Sequence, residues 1–183
     1  HTRDRRQRQM CIRDRGAVID AFSKDVAFNV VDDAQDVIDE MTAHSEIASA
    51  QSITVSGVAT AAQGADIDAF SKDVAFNVVD DANDIAAELS GSNDQLDEAG
   101  SVTVTGGTVD ALDAAAIQGI SGYVDSTASS YDIVDSASAI VGATDAILNT
   151  GGVATVTVSG VATAAQGADI DAFVKDVTYN VVD

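Results

Sequence analysis

The spacing of apolar and polar residues along positions 52–99 changes its period three times. Residues 52–57 (SITVSG) place apolar side chains at every second position, which is the period of a strand. Residues 59–73 have helical spacing, residues 74–80 alternate again, and residues 81–89 return to helical spacing. The pattern predicts the order β-α-β-α, closed by a polar loop.

The residue types at the ends and faces of the two helices agree with this prediction. Thr60 and Gln63 have the spacing of a capping box, and Asp80 or Asp81 is the expected N-cap of the second helix. The predicted buried faces are Ala62, Ile67 and Phe70 in the first helix, and Ala82, Ile85 and Leu89 in the second.

The pattern recurs along the chain, in places letter for letter. The sequence DAFSKDVAFNVVDDA occupies residues 20–34 and again 68–82, and TVSGVATAAQGADIDAF occupies residues 54–70 and 157–173. Long identical blocks indicate tandem duplication of one structural unit, as in solenoids and arrays. A unit copied this closely favours stacking over the formation of one unique pocket.

Each predicted strand ends in Gly or Asp, and an alanine-containing helix begins nearby. The expected strand ends, 23 to 29 residues apart, are Asp32, Gly57, Asp80, Gly106, Asp135, Gly160 and Asp183. This interval fits one strand and one helix per coil, as in leucine-rich repeats, although the consensus LxxLxLxxN is absent.

The strand faces distinguish between possible α/β folds. A doubly wound sheet or a (β/α)8 barrel buries both faces, so its strands are almost continuously hydrophobic. Here Val102 and Val104 alternate with Thr103 and Thr105, which indicates one face in water. We therefore predict, over residues 16–183, an open right-handed β/α solenoid with one parallel sheet and helices on one face.

Stacking of such coils, in double units of about 48–55 residues, predicts a core. The expected inward strand positions are Phe28, Phe76, Tyr131 and Tyr179, followed by Val30, Val78, Ile133 and Val181. Phe22, Phe70 and Phe173 are expected to close the core from the helical side. Neither end has a polar capping coil, so we expect a fragment of a longer array.

Charge is distributed unevenly along the 183 residues, whose net charge is −21. Residues 1–15 contain six arginines, whereas residues 16–183 contain 28 acids and three lysines. The acidic part is expected to repel nucleic acid, since phosphate binding depends on Lys and Arg. No apolar stretch is long enough for a transmembrane helix, so no membrane insertion is expected.

Residues 1–15 (HTRDRRQRQMCIRDR) share nothing with the repeats and include Cys11, the single cysteine. Within them, QRQMCIRDR resembles translated sequencing-adapter sequence, which implies a non-native or disordered basic segment. This segment is therefore left out of the fold prediction.

The abundant carboxylates suggest calcium, which needs several converging oxygen ligands. The EF-hand spacing DxDxDG and the GGxGxD nonapeptide of calcium-binding β-rolls are both absent. Asp32, Asp80 and Asp135 are instead expected to end strands and cap helices. No cofactor is predicted; calcium between adjacent coils stays open, with no residue assigned as its ligand.

The solvent-facing side of the sheet is the one candidate contact surface. Its residues are Asn29, Val31, Asn77, Val79, Val134, Asn180 and Val182. Regularly spaced exposed valines can form a contact stripe, although the β-propensity of valine on a half-exposed strand is the simpler explanation. An ice-binding face would be all threonine, whereas this one interleaves Asn, Asp and Val.

Catalytic chemistry has little support in the sequence. His44 is the histidine of the repeat region, lies in a polar stretch, and has no copy in other units. A nucleophilic site needs a base positioned beside its nucleophile. Carboxylate pairs, which a glycosidase requires, are too abundant to single out a site. We predict that the chain is not an enzyme.

Two segments resemble tandem repeats of very large bacterial surface and secreted proteins of marine and cyanobacterial type. These are VTVSGVATAAQGADIDAF (156–173) and YDIVDSASAIVGA (131–143). The resemblance implies an extracellular or cell-surface, adhesin-like array whose partners are its own neighbouring repeats. The expected function is a structural or adhesion segment. The alternatives are a module that binds glycan or protein through the exposed sheet face and a polysaccharide-active enzyme.

Overall fold

The structure, a computed structural model, describes residues 28–43, 45–90 and 96–182. It has the predicted α/β composition. The strands are β1 (Asn29–Asp32), β2 (Ser52–Val55), β3 (Val74–Ala75), β4 (Asn77–Asp80), β5 (Ser101–Val109), β6 (Ser130–Asp135), β7 (Val153–Val158) and β8 (Val177–Thr178). The helices are α1 (Ala34–Ala43), α2 (Ala61–Asp68), α3 (Ala82–Leu89), α4 (Ala111–Gly119), α5 (Ala137–Gly142), α6 (Asp145–Leu148) and α7 (Ala164–Ile170), with a 3₁₀ helix at Ser45–Ser49.

The described strands form two sheets, of order β1-β2-β3 and β4-β5-β6-β7-β8. Strands that follow one another in sequence are therefore neighbours within each sheet. Every pair among them is parallel, which confirms the predicted parallel arrangement. The expectation of one continuous sheet is wrong.

The division between the sheets falls at Phe76, which separates β3 from β4. On the neighbouring strand, Gly57 has a φ of 98° and turns the chain out of the ladder. Pairing across this point resumes as one isolated parallel bridge between Ala59 and Val78. The two sheets thus meet along residues 74–80, where a glycine detour interrupts regular hydrogen bonding.

The duplicated blocks 54–70 and 157–173 adopt the same local structure. Each contains a helix whose N-cap, Thr60 or Thr163, accepts a hydrogen bond from the backbone of the glutamine three residues later. The glutamine side chain accepts one in return, which completes the predicted capping box. Identical sequence therefore produces the same capped helix at separate places in the chain.

Burial alternates along the strands, so that one face of each sheet is packed and the other is exposed. The confirmed core positions are Val30, Phe76, Val78, Tyr131 and Ile133. Phe28 and Tyr179 are half-buried and pack against this core. Val181 contradicts the prediction because it is 48% exposed; it lies at the last strand position, where no described strand covers it.

The helical side of the core differs partly from the prediction. The face of α3 is as expected, but α2 buries Ala61, Gly64 and Ile67, and Ala62 is exposed. Helix α2 ends at Asp68, well before the predicted residue 73. Phe70 and Phe173 therefore follow their helices and are half-buried.

The acidic strand ends are confirmed at Asp32, Asp80 and Asp135. Gly57 and Gly160 follow β2 and β7 by two residues, whereas Gly106 lies inside β5, contrary to the prediction. Residues 1–15, Phe22, His44 and Asp183, about which the sequence made predictions, lie outside the described residues.

Candidate functional site

The exposed sheet face carries the predicted contact residues. Val31 is 61% exposed, Val182 is 57% exposed and Val134 is 38% exposed, whereas Val79 is half-buried. Asn29, Asn77 and Asn180 are exposed. The structure divides the seven residues between the two sheets, with Asn29 and Val31 in the smaller sheet and Asn180 and Val182 just beyond β8.

A threonine stands beside each of three valines on this face. The pairs in register are Val31 with Thr54, Val79 with Thr103, and Val134 with Thr157. Neighbouring strands lie about 4.7–4.9 Å apart, so methyl and hydroxyl groups alternate at that interval. The face is therefore neither a continuous apolar stripe nor a purely polar surface.

Two of the three asparagines of this face, Asn29 and Asn77, bind the adjacent strand. Asn29 Oδ1 accepts a hydrogen bond of 2.9 Å from Ser52 Oγ, and Asn77 Oδ1 accepts one of 2.9 Å from Ser101 Oγ. The equivalent residue in β6, Asp132, accepts hydrogen bonds from both the backbone N–H and the hydroxyl of Thr155. These side chains therefore hold the register of successive strands, a role that the sequence prediction did not assign.

The strand-end carboxylates join neighbouring coils. Asp80 Oδ1 accepts from the N–H of Asp81, while its Oδ2 accepts at 2.9 Å from Ala61 N, the first residue of α2. Asp135 bonds Ala111 N, the first residue of α4, in the same way at 3.2 Å. Each of these two carboxylates thus caps the helix of the preceding coil, consistent with the preference of anions for helix N-termini.

The helices that follow these carboxylates have caps of their own, one residue later in the chain. Asp81 Oδ1 accepts from the N–H groups of Asn83 and Asp84 at the start of α3. Ser136 caps α5 through Ala139 N. The sequence prediction allowed Asp80 or Asp81 as the N-cap of α3, and the structure selects Asp81.

Three carboxylates converge where β1 meets α1. Side-chain oxygens of Asp32, Asp33 and Asp36 lie within 4.8 Å of one another. Burial, followed by the charges of Asp33 and Asp32, raises the pKa of Asp36. Calcium takes six to eight oxygens, of which this cluster would supply only part. Asp33 Oδ1 already accepts from Asp36 N at 3.0 Å, as a helix cap does.

A similar accumulation of charge occurs at the start of α3. The charges of Asp81 and Asp80 raise the pKa of Asp84, which is exposed. No lysine or arginine lies in residues 73–90 to offset these charges. The helix N-terminus, which attracts negative charge, accommodates this concentration of acids.

Two polar side chains, the buried Ser129 and the half-buried Gln118, were not singled out by the sequence. Ser129 is 1% exposed; its hydroxyl donates to the carbonyl of Val124 at 2.7 Å and accepts from Val104 N at 3.2 Å. This bridge lies where the register of β5 and β6 shifts, between Thr105 and Thr108. Ser129 therefore replaces a regular ladder hydrogen bond beside a bulge.

The second polar group is the Gln118 amide. Its Nε2 donates to Tyr131 Oη at 2.7 Å, to the Ile147 carbonyl at 2.9 Å and to Thr150 Oγ1 at 3.2 Å. The Gln118 amide therefore joins the Tyr131 hydroxyl to the backbone and side chain of residues 147–150. Burial, followed by the nearby Tyr131 hydroxyl, raises the pKa of the neighbouring Tyr123.

An open groove of about 340 Å³ lies beside β2 and β3. It is lined by Gln51, Ser52, Ile53, Thr54, Lys72, Asp73, Val74 and Ala75. Lys72 and Asp73 are adjacent in the lining and carry opposite charges. An acid–base or nucleophilic site needs a catalytic pair positioned toward one substrate, and the groove lining does not identify such a pair.

No helix among the described residues is long and apolar enough to cross a membrane.

Comparison of the chain with known protein families, with curated proteins and with solved structures finds no match.

Proposed function

We propose that this chain is a non-enzymatic structural and adhesion segment of a large bacterial cell-surface or secreted protein, built as an open right-handed β/α solenoid. The observation that carries the proposal is that the identical blocks 54–70 and 157–173 form the same capped helix. Strands adjacent in sequence are adjacent in each sheet. A chain organised this way adds length coil by coil without changing its cross-section.

The lateral contacts support a stacking role. The Asn–Ser pairs and the Asp80 and Asp135 caps connect neighbouring coils at four places. The net charge of −21 keeps such an array soluble and disfavours nucleic acid as a partner. These features are useful in a spacer, and none of them requires a substrate.

Small-angle scattering tests the solenoid directly. The single chain is compared with a longer protein in which residues 28–182 occur twice in tandem. For stacked coils, the maximum dimension should grow with the number of coils while the cross-sectional radius stays constant. A compact 183-residue domain has a radius of gyration of about 16 Å. A single chain near that value, together with a thicker cross-section after duplication, would contradict the proposal.

A second function is favoured by the exposed Val–Thr face, which fits a neutral glycan or a protein partner. The test measures binding to chitin and neutral glucan particles. The Asn77→Lys/Val79→Lys variant should lose binding, while Ala87→Lys/Leu112→Lys, with the same charge change on exposed helix positions, should retain it. Equal binding by both variants would exclude this face as the contact surface.

A further inference from the structure

The last described coil repeats the sequence of an interior coil but is much less buried. Val78 is completely buried, whereas Val181, at the equivalent position, is 48% exposed. Phe76 is 3% exposed, while its counterpart Tyr179 is half-buried. Since the preceding blocks are identical, the difference arises because β5 pairs beside Val78 in the interior coil, whereas no described strand pairs beside Val181 on that side.

The backbone shows the same difference. The carbonyl of Phe28 accepts from Gln51 N at 2.8 Å, and the carbonyl of Phe76 accepts from Gly100 N at 2.9 Å. Both donors immediately precede the next strand. The equivalent carbonyl of Tyr179 has no backbone partner among the described residues. The Tyr179 carbonyl is therefore available as a hydrogen-bond acceptor. In the two earlier coils, the equivalent carbonyl accepts from the residue that precedes the next strand.

A side-chain acceptor occupies the next position. Asn29 and Asn77 each accept a hydrogen bond from the serine that begins the following strand, Ser52 and Ser101. Asn180 is the equivalent residue in the last coil. A partner with serine one residue after its first backbone donor would satisfy both acceptors at once.

The edge also lacks two of the features that normally prevent strand addition. Exposed edge strands usually carry a charged residue, a proline or a bulge. Residues 177–182 (VTYNVV) contain neither charge nor proline. The N–H of Val182 bonds the carbonyl of Ala162. Because alternate residues of a strand face opposite neighbours, the N–H of Val181 faces outward.

We infer that the edge at residues 177–182 binds a parallel strand of the Gly-Ser-Val-Thr-Val type, as at residues 100–104, carried by a further repeat unit. The glycine N–H bonds the Tyr179 carbonyl, the serine hydroxyl bonds Asn180, and the first valine covers Val181 as Val102 covers Val78. The inference rests on the stacking described under Proposed function and is independent of the cell-surface role.

Amide hydrogen exchange of the full chain, followed by NMR, tests the inference. The probe is a synthetic peptide of residues 99–119, which contains the strand and its helix. At saturating peptide, exchange at Val181 should slow at least about tenfold, equivalent to 1.4 kcal/mol. Exchange at Val182, which is already hydrogen-bonded, should change less. A peptide with Val102→Asp and Val104→Asp should have no effect.

In a second experiment the strand is fused to the chain, so that the result no longer depends on how tightly a separate peptide binds. Residues 81–135 are appended after Asp183, which raises the effective concentration of the strand; the control fusion carries the same two Val→Asp changes. Slower exchange at Val181 in the first fusion alone supports the inference. Unchanged exchange overturns it. Protection of Val181 in the unmodified chain together with dimer formation also overturns it, since the occupant is then a second copy.

The outcome can be separated from the proposed function. An elongated scattering profile with no protection at Val181 would refute only the docking edge. Protection at Val181 in a chain that shows enzymatic activity would refute only the structural role.

Discussion

Gly64 and Gly167 occupy the same position in identical sequence blocks, yet alanine should have opposite effects at the two sites. A methyl group at Gly64 would lie 2.9 Å from Val78 Cγ2 and 3.0 Å from Leu96 Cδ2. Both neighbours are completely buried, and the β-branched valine has few alternative rotamers. At Gly167 the nearest contacts would be 3.2 Å, to Tyr179 and Val181.

The expected magnitudes come from two opposing effects. Replacing a helical glycine with alanine stabilises a helix by about 1 kcal/mol, and both sites share this gain. Overpacking a filled core costs about 1–3 kcal/mol, which applies in full at Gly64. At Gly167 the half-exposed Val181 can move aside. We expect Gly64→Ala to destabilise by about 1 kcal/mol and Gly167→Ala to stabilise by about 0.5–1 kcal/mol.

The assay compares thermal and urea unfolding of the two variants with the parent chain. For a chain of this size, 1 kcal/mol shifts Tm by about 2–4 °C. Repeat arrays can unfold in stages, so hydrogen exchange of α2 and α7 should locate each effect. An equal rise in Tm for both variants would refute the reasoning, because the coil environment would then be irrelevant to the substitution.

Four further substitutions test the polar contacts. Gln118→Leu should cost about 1–3 kcal/mol because it leaves the buried Tyr131 hydroxyl unpaired, whereas Tyr131→Phe should cost about 1 kcal/mol; urea unfolding measures both. Asp80→Ala should cost about 1–2 kcal/mol by uncapping Ala61, with faster amide exchange at the start of α2. Asp36→Asn should stabilise the protein at neutral pH by less than about 0.5 kcal/mol, because the raised pKa of Asp36 makes its charged form unfavourable in the folded state.

Each of these expectations has a contradicting result. A larger loss for Tyr131→Phe than for Gln118→Leu would show that the amide is not held by the phenol. Unchanged exchange in α2 would remove the capping role of Asp80. The folded state binds the Asp36 proton more readily than the unfolded state does, so the advantage of Asp36→Asn should disappear as the pH falls below the ordinary carboxyl pKa of 3.8. An advantage that persists there would exclude an electrostatic origin.

The sequence predicted the coil far better than the junctions between coils. Alternation within SITV and SVTV, and the Thr–Gln capping spacing, are local properties that the structure confirms. The interruption at Phe76 was not predictable, because it depends on how far Gly57 displaces the neighbouring strand. Val181 is exposed whereas Val78, at the equivalent position, is buried, so burial at this position depends on neighbouring strands rather than on the residue itself.

The hydrogen bonds of the interior polar groups were missed for a related reason. Ser129 lies two residues before the buried Tyr131, so strand alternation places it on the inward face, but its bonds to Val104 and Val124 depend on the register of β5 and β6. The seven predicted contact residues do lie on exposed or half-exposed positions, but their involvement in binding stays a prediction. The lateral role of the asparagines requires knowledge of strand pairing, which a single unit does not contain.

The strand order of the larger sheet has a mechanical consequence. Strands β4 and β8 lie at opposite edges, so tension applied between the two ends of this sheet pulls across the strands rather than along them. Such a load breaks the backbone hydrogen bonds between one pair of neighbouring strands before it breaks those between the next pair. Under stretching, the protein should yield in small successive steps and shorten again as each row reforms, like an elastic tether.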